Sequence, residues 1–470
     1  MKSAQPDTDN RSQLIWPYIL FGLIFLSLFI LQLFSGIYDP GDGVQHHLIA
    51  RYAGKHPQLF LDHWGKPVFT LLSFPFASTA GYNGSVAFNL LCLCGSGFLV
   101  WKAADHLKLP YPIAGAAFTV FAPIALPAGL SALTEPLFAF TLVSGVYLAL
   151  KGRSGMAALI ISFLPFVRTE GFFLAPLFGI VFLMRKDFLS FFLLGTGTLI
   201  YSFTGFFYYG DLLWLIHQNP YQGDPAYGSG SFFHFLTSNE FIWGWGLTAF
   251  LLMGFVVYLF PKKLGVNISA AEKILVPGIF LLFMLLHSFL WWKGLFGSLG
   301  LTRVFAGTIP LAALIALRGF HLVFYFVQHP ALRRSVLVVL VGMQIFLTFR
   351  QHALPLDKTA HETTADETIA WMKENKLHSR RIIATHPIIA LVADKDPFDS
   401  LQWKNLGCVC PEKWKKGDLI LWESYFAPGQ SGITLESLQN DPRLEQQKIF
   451  GALPDNKGSA AFTIAAFVVK

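Results

Sequence analysis

Tyr38-Asp39-Pro40-Gly41-Asp42-Gly43-Val44-Gln45-His46-His47 directly follows an apolar run, Leu14–Phe34, and leads to a second polar stretch, Asp62-His63-Trp64-Gly65-Lys66-Pro67. The run is long enough to cross a bilayer as one helix and has no small-residue cleavage site, so it reads as a membrane span and not as a removable signal. The polar stretch behind it therefore lies against a membrane face. Carboxylates, imidazoles and a lysine gathered there suit chemistry on a membrane-borne substrate.

The rest of the chain agrees with that setting. Of 470 residues, 54% are hydrophobic and only 13% charged, against about 25% charged in an ordinary soluble domain. The 48 Phe and 12 Trp fit lipid-facing surfaces and interfacial belts. Apolar runs predict about eleven transmembrane helices, near 14–34, 84–101, 110–127, 134–150, 155–167, 171–184, 188–208, 241–260, 274–292, 301–317 and 335–350. The net charge of +7 is spread over many short loops, which excludes a nucleic-acid patch. Four cysteines form two C-x-C pairs, Cys92/Cys94 and Cys408/Cys410, without metal or redox spacing.

Loop charge sets the expected orientation. Lys102, Lys108, Lys151, Arg153, Arg185, Lys186, Lys262, Lys263, Lys273, Arg318, Arg333 and Arg334 fall in one set of loops. The alternate set includes 209–240, which has Asp211, Asp224 and Glu240 but no Lys or Arg. The positive-inside rule then puts the N-terminus in the cytoplasm, and the 38–67 loop and the C-terminal tail outside. This assignment requires that 65–80 not be a full span, and its short, proline-bounded sequence reads as an interfacial helix. Val44, Leu48, Ile49 and Tyr52 recur at helical spacing and predict a second juxtamembrane helix over 44–56.

Two apolar runs of 13 and 14 residues, 155–167 and 171–184, are separated by Arg168-Thr169-Glu170. Each reaches only about 20 Å at 1.5 Å per residue, short of a roughly 30 Å hydrocarbon core. A break at that depth is tolerated only beside a protein-enclosed or wet cavity. After Phe349 the composition changes, with a predicted helix at 362–376 and strands at 381–384, 419–422 and 462–469. The expected division is a transmembrane domain, 1–350, and an extracytoplasmic α/β domain, 351–470.

Ionisable groups at membrane depth are costly and point to function. Asp39, Asp42 and Asp62 have the character of a general base on a hydroxyl, although Asp39 also suits a turn and Asp42 a helix start. Arg168 and Glu170 make either a site or a self-satisfied ion pair. Arg303 is suited to clamp a phosphate or to snorkel. Glu135, in Leu133-Thr134-Glu135-Pro136, opens a span and also suits a helix N-terminus. All map to the outer face. His46, His47 and His63 lack zinc-ligand spacing, so no metal is assigned. Asp394-Lys395-Asp396 reads as a solvated turn.

These motifs, in this order and on this side, resemble the GT-C superfamily of membrane glycosyltransferases. The matching elements are an acid after the first span, the Trp64-Gly65-Lys66-Pro67 segment, Thr134-Glu135-Pro136, the Arg168-Thr169-Glu170-Gly171 break, and Thr302-Arg303 leading into Pro310. Protein O-mannosyltransferases and lipid A aminoarabinose transferases belong to that superfamily. Asp42 is followed by Gly43 where the family often has Asp-Glu, and Lys-Pro-Val stands for Lys-Pro-Pro, so the sugar and the acceptor stay open.

The resemblance implies an inverting glycosyltransferase of a cell envelope, set in the bacterial inner membrane. It would move a hexose or pentose from a polyprenyl-phosphate donor to a glycan, lipid or protein hydroxyl. Asp42, or else Asp39, would be the base. Arg303, Lys66 and Arg168 would bind the donor phosphate, and Asp62, His63, Glu135 and Glu170 would orient sugar or acceptor. No cofactor is required; a divalent metal stays open but has no support in the pattern. An O-antigen-type polymerase or ligase is the nearer alternative. A lipid or solute transporter is the other, though inverted repeats are absent from the sequence.

Overall fold

The structure is a computed structural model that describes residues 9–218, 220, 228–408, 414–451 and 462–470. Two compact units are present: one formed by 1–34, 86–130 and 134–354, the other by 35–85, 131–133 and 355–470. The 35–85 segment thus groups with the C-terminal residues.

The first unit is helical. Among the described residues, five helices are long and apolar enough to cross a membrane: Pro67–His106, Phe188–Tyr209, Ala270–Lys293, Thr302–Val323 and Pro330–His352. Five shorter apolar helices accompany them, Trp16–Gln32, Glu135–Leu150, Ser154–Val167, Gly171–Met184 and Gly244–Leu259. The chain is an integral membrane protein, and ten of its eleven apolar runs fall in these helices. The remaining run, 110–127, divides into Pro112–Val120 and Ala125–Gly129. Proline opens Pro112–Val120, Glu135–Leu150, Ile309–Phe326 and Pro330–His352 within the first two positions, where its missing N–H costs no hydrogen bond.

The expected break at 168–170 is present. Arg168 is extended (φ −156°, ψ 142°) between Leu164–Val167 and Gly171–Met184. A Cβ on Gly171 would lie 2.5 Å from the Leu164 carbonyl carbon, so the two helical pieces meet only because residue 171 is glycine. The helix that starts at Pro67 breaks at Ala80 and Gly81, the latter at φ 60° and ψ −148°. Residues 67–79 therefore form a separate helical piece ahead of the apolar run.

The second unit holds a five-stranded mixed sheet. Its strands are β1 Ile382–Ala384, β2 Trp403–Asn405, β3 Leu419–Glu423, β4 Leu444–Phe450 and β5 Ile464–Val469. Their spatial order is β2-β1-β3-β5-β4, parallel through β3 and antiparallel beyond it. The helix Ala360–Glu374 begins with a capping box made by Thr359 and Glu362.

Helix Asp42–Tyr52 belongs to the core of this unit. Val44, Leu48, Ile49 and Tyr52 are buried with Ile382, Ile388, Ile389 and Leu419. The apolar face predicted from helical spacing is thus covered by protein. Polar ties hold the segment at its margins: Ile37 N donates to Glu362 Oε2 (3.0 Å), and Arg51 pairs with Asp394 Oδ1 (2.7 Å). His56 Nε2 lies 3.1 Å from Asp396 Oδ2. Asp396 is only 4% exposed, so Asp394-Lys395-Asp396 is a docking element for 42–56 and not the solvated turn expected.

Candidate active site

In the helical unit, four of the expected residues converge. Glu135 is the first residue of its helix, where a carboxylate is favoured by the helix dipole. Arg168 sits in the break, Glu170 caps the next helix, and Arg303 lies in the 3₁₀ turn Thr302–Thr308. Arg168 Nη1 is 2.7 Å from Glu135 Oε1, and its Nη2 is 2.8 Å from Glu170 Oε1. Nη1 also donates to Thr134 Oγ1 at 3.1 Å, and Nε to Glu170 Oε1 at 3.2 Å. Arg303 Nε is 3.7 Å from Glu135 Oε1. One guanidinium therefore bridges two carboxylates, and a second approaches one of them.

Sequence reasoning missed His287. It lies on Ile279–Lys293 with Nε2 3.4 Å from Glu170 Oε1. The available signal was its standing as the sole ionisable residue in the apolar run 274–292, which by default marks function. Phe283 (4.4 Å between ring centroids) and Phe305 (6.0 Å) flank its ring, and Phe235 lies tilted against Phe305 at 4.8 Å. This aromatic wall keeps the local dielectric low, where charge–charge contacts are strongest. Glu135 Oε2 is buried with no hydrogen-bond partner, which leaves an acceptor inside the cluster able to receive a ligand's donor.

The other expected residues lie in the second unit. Asp39 Oδ1 accepts the N–H of Gly43 at 2.9 Å, so its carboxylate caps the start of helix Asp42–Tyr52. Asp42 is the first residue of that helix and half-buried. A Cβ on Gly41 would lie 3.3 Å from Phe426 Cζ, so the turn carrying both acids packs on the C-terminal sheet's loop.

Asp62 Oδ1 accepts from Gly65 N at 2.6 Å and closes the turn that leads to Lys66. Lys66 is buried (8% exposed) and has φ 62°, unusual for a residue with a side chain. Such strain persists where surrounding structure imposes it, as at functional sites. Trp64 stacks on His46 (4.6 Å, 16°) and fixes the loop against the helix. Burial holds the His63 imidazole below its ordinary pKa; Lys66 adds to this and Asp62 opposes it. His47, with Nδ1 2.8 Å from Ser85 Oγ, is pushed down to about 3, first by burial and then by Arg51.

Cys92 and Cys94 are buried free thiols, whereas Cys410 and Asp224 lie outside the described residues. Among the described residues no three His, Cys, Asp or Glu side chains are grouped to hold a metal ion.

The fold, apolar helices with a small α/β unit, is similar to those of solved structures. In particular, it is similar to ArnT from Cupriavidus metallidurans in the apo state, with TM-score 0.62 and 12% identity over 97% of this chain and 98% of that one. The same enzyme bound to undecaprenyl phosphate gives 0.59 and 12%, over 96% and 98%. The arabinofuranosyltransferase AftD from Mycobacteria gives 0.52 and 12%, over 99% of this chain and 40% of that one. No family model matches the sequence, and no curated protein sequence matches it.

Proposed function

We propose that the chain is an inverting glycosyltransferase that moves a sugar from a polyprenyl-phosphate donor to an acceptor hydroxyl at the outer face of a bacterial inner membrane. The carrying observation is the buried Glu135–Arg168–Glu170–Arg303 cluster, set in the fold of a protein crystallised with undecaprenyl phosphate. The loop charges support a cytoplasmic N-terminus and an external C-terminal unit.

Asp42 takes the proton of the acceptor hydroxyl, whose oxygen attacks the anomeric carbon from the face opposite the phosphate. The C–O bond to the phosphate breaks, and polyprenyl phosphate leaves with that electron pair. Asp42 is taken as the base, and Asp39, whose Oδ1 accepts the Gly43 N–H, as the residue that positions the turn. Arg303 and Lys66 stabilise the departing phosphate, an electrostatic role that is largest where water is excluded. Arg168 adds positive charge and holds Glu135 and Glu170, which, with Asp62 and His63, orient sugar and acceptor.

The test is sugar transfer from a polyprenyl-phosphate donor in proteoliposomes. Asp42→Asn should lower kcat by about 10²–10⁴, the usual contribution of a general base. Asp39→Asn and Asp62→Asn should retain more activity, because each keeps an oxygen for its backbone N–H and leaves the base in place. Normal activity in all three variants would sink the assignment of the base to this loop.

A further inference from the structure

One group of side chains in the second unit has no part in the chemistry above. His386 caps the helix Pro387–Val392 by accepting the Ile388 N–H at Nδ1 (3.2 Å). Its Nε2 lies 3.0 Å from His361 Nδ1. Burial lowers both imidazoles, with His361 further lowering His386, so both are neutral near pH 7. The proton positions follow: His386 Nδ1 accepts, so its proton is on Nε2 and is donated to His361 Nδ1. His361 then holds its own proton on Nε2 and offers a donor of fixed direction.

Aromatic rings pack around these imidazoles. His361 stacks on Phe462 (4.1 Å, 15°), and the Tyr425 ring lies 5.2 Å away. Phe426 lies 4.9 Å from His386, and the same ring meets Gly41 beside Asp42. Tyr425 is 61% exposed, yet its backbone is held firmly. The fully buried Glu423 carboxylate accepts the N–H groups of Tyr425, Phe426 and Ala427 at 2.8, 2.8 and 2.7 Å. An exposed ring on an immobilised turn, next to a fixed N–H donor, is matched to a flat ligand with one apolar face and hydroxyls at its edge. The group contains no Lys or Arg, so it suits an uncharged ring better than a phosphate.

We infer that Tyr425, Phe426 and the Nε2–H of His361 form a sugar-binding subsite beside the Asp39–Asp42 turn, and that the acceptor is therefore a glycan whose terminal ring packs on these aromatics. The inference rests on the glycosyltransferase reading. The ring's CH face packs on Tyr425, and one hydroxyl oxygen accepts from His361.

The test uses the full chain in nanodiscs, with methyl hexopyranosides and pentopyranosides as probes, read by saturation-transfer NMR, and with undecaprenyl phosphate binding measured in parallel. Tyr425→Ala should raise the glycoside Kd by roughly 3- to 10-fold, the worth of one aromatic contact. Tyr425→Phe should keep wild-type affinity, and His361→Ala should weaken binding by a similar factor. Undecaprenyl phosphate binding should be unchanged in all three, which also shows that each variant is folded. Equal glycoside affinity in Tyr425→Ala and wild type overturns the subsite, as does a wild type that binds a Ser/Thr peptide but no glycoside. A wild type that binds glycosides but no undecaprenyl phosphate overturns the donor reading and leaves the subsite standing.

Discussion

Replacing Arg168 with Met removes the group that holds two buried carboxylates together. Arg168 reaches Glu135 at 2.7 Å and Glu170 at 2.8 Å, and the two carboxylate side chains are only 2% and 14% exposed. Each contact is worth about 6 kcal/mol before desolvation at an effective dielectric near 20. The net cost of deleting one partner from a buried pair is smaller, about 3–5 kcal/mol, because it is set by the stranded charge. Here two charges are stranded, with Arg303 at 3.7 Å and His287 at 3.4 Å as the remaining neighbours. We expect Arg168→Met to fall at the upper end of that range, with a much earlier unfolding midpoint in detergent. Arg168→Lys should be intermediate, because an ammonium cannot present the planar fork that bridges two carboxylates. Arg168→Met/Glu170→Gln, which removes one charge of each sign, should recover part of the loss. Thermal unfolding of the four proteins, with sugar transfer measured on each, decides the matter. A midpoint for Arg168→Met equal to wild type, or a double variant less stable than the single one, would refute the charge-balance reasoning.

Two further predictions concern stability. His47 has a folded-state pKa of about 3, so the unfolded chain, with a pKa near 6.5, binds the extra proton as pH falls. Stability therefore rises with pH across that window and is lost below about 6.5, by about 1.4 kcal/mol between pH 7.5 and 5.5 for this residue. His47→Gln should lose less over the same interval in thermal scans, and an unchanged pH response would show that His47 is not the titrating group. Arg318 binds Glu272 through Nε (2.7 Å) and Nη2 (2.8 Å), and Tyr258 OH donates to the same carboxylate at 2.9 Å. Glu272→Leu should cost about 3–5 kcal/mol and Glu272→Leu/Arg318→Met considerably less. A double-mutant cycle with no coupling would mean that the pair does not act as a unit.

The parts of the fold that were legible in the sequence are those with a local signal. Long apolar runs predicted helices, and the break at 168–170 was visible because charged residues interrupt runs too short to span. The strand β3 was readable from Leu419–Trp422, whereas β4 was not, since Glu445 to Lys448 are exposed and polar along an edge. The packing of 42–56 on the C-terminal sheet was illegible for a different reason. Its ties run between residues 325 to 343 positions apart, and no periodicity encodes such a pairing. Among site residues, Glu135, Arg168, Glu170 and Arg303 stood out as charges in apolar surroundings. His361, His386 and Tyr425 did not, because in a polar segment such residues are ordinary.

Asp39 and Asp42 stand at different places in the turn that opens helix Asp42–Tyr52. They are three residues apart, and either type starts a turn or a helix well. A carboxylate that accepts a backbone N–H of a helix's first turn has its position tied to that of the helix. Asp39 is tied in this way, through Gly43. Removing that acceptor should loosen the first turn of Asp42–Tyr52 and thereby displace Asp42, reducing activity through geometry. An asparagine at 39 keeps an oxygen able to accept the same N–H, whereas alanine does not. Asp39→Ala should therefore be the more damaging of the two, while Asp42→Asn and Asp42→Ala should be equally inactive, because neither supplies a base.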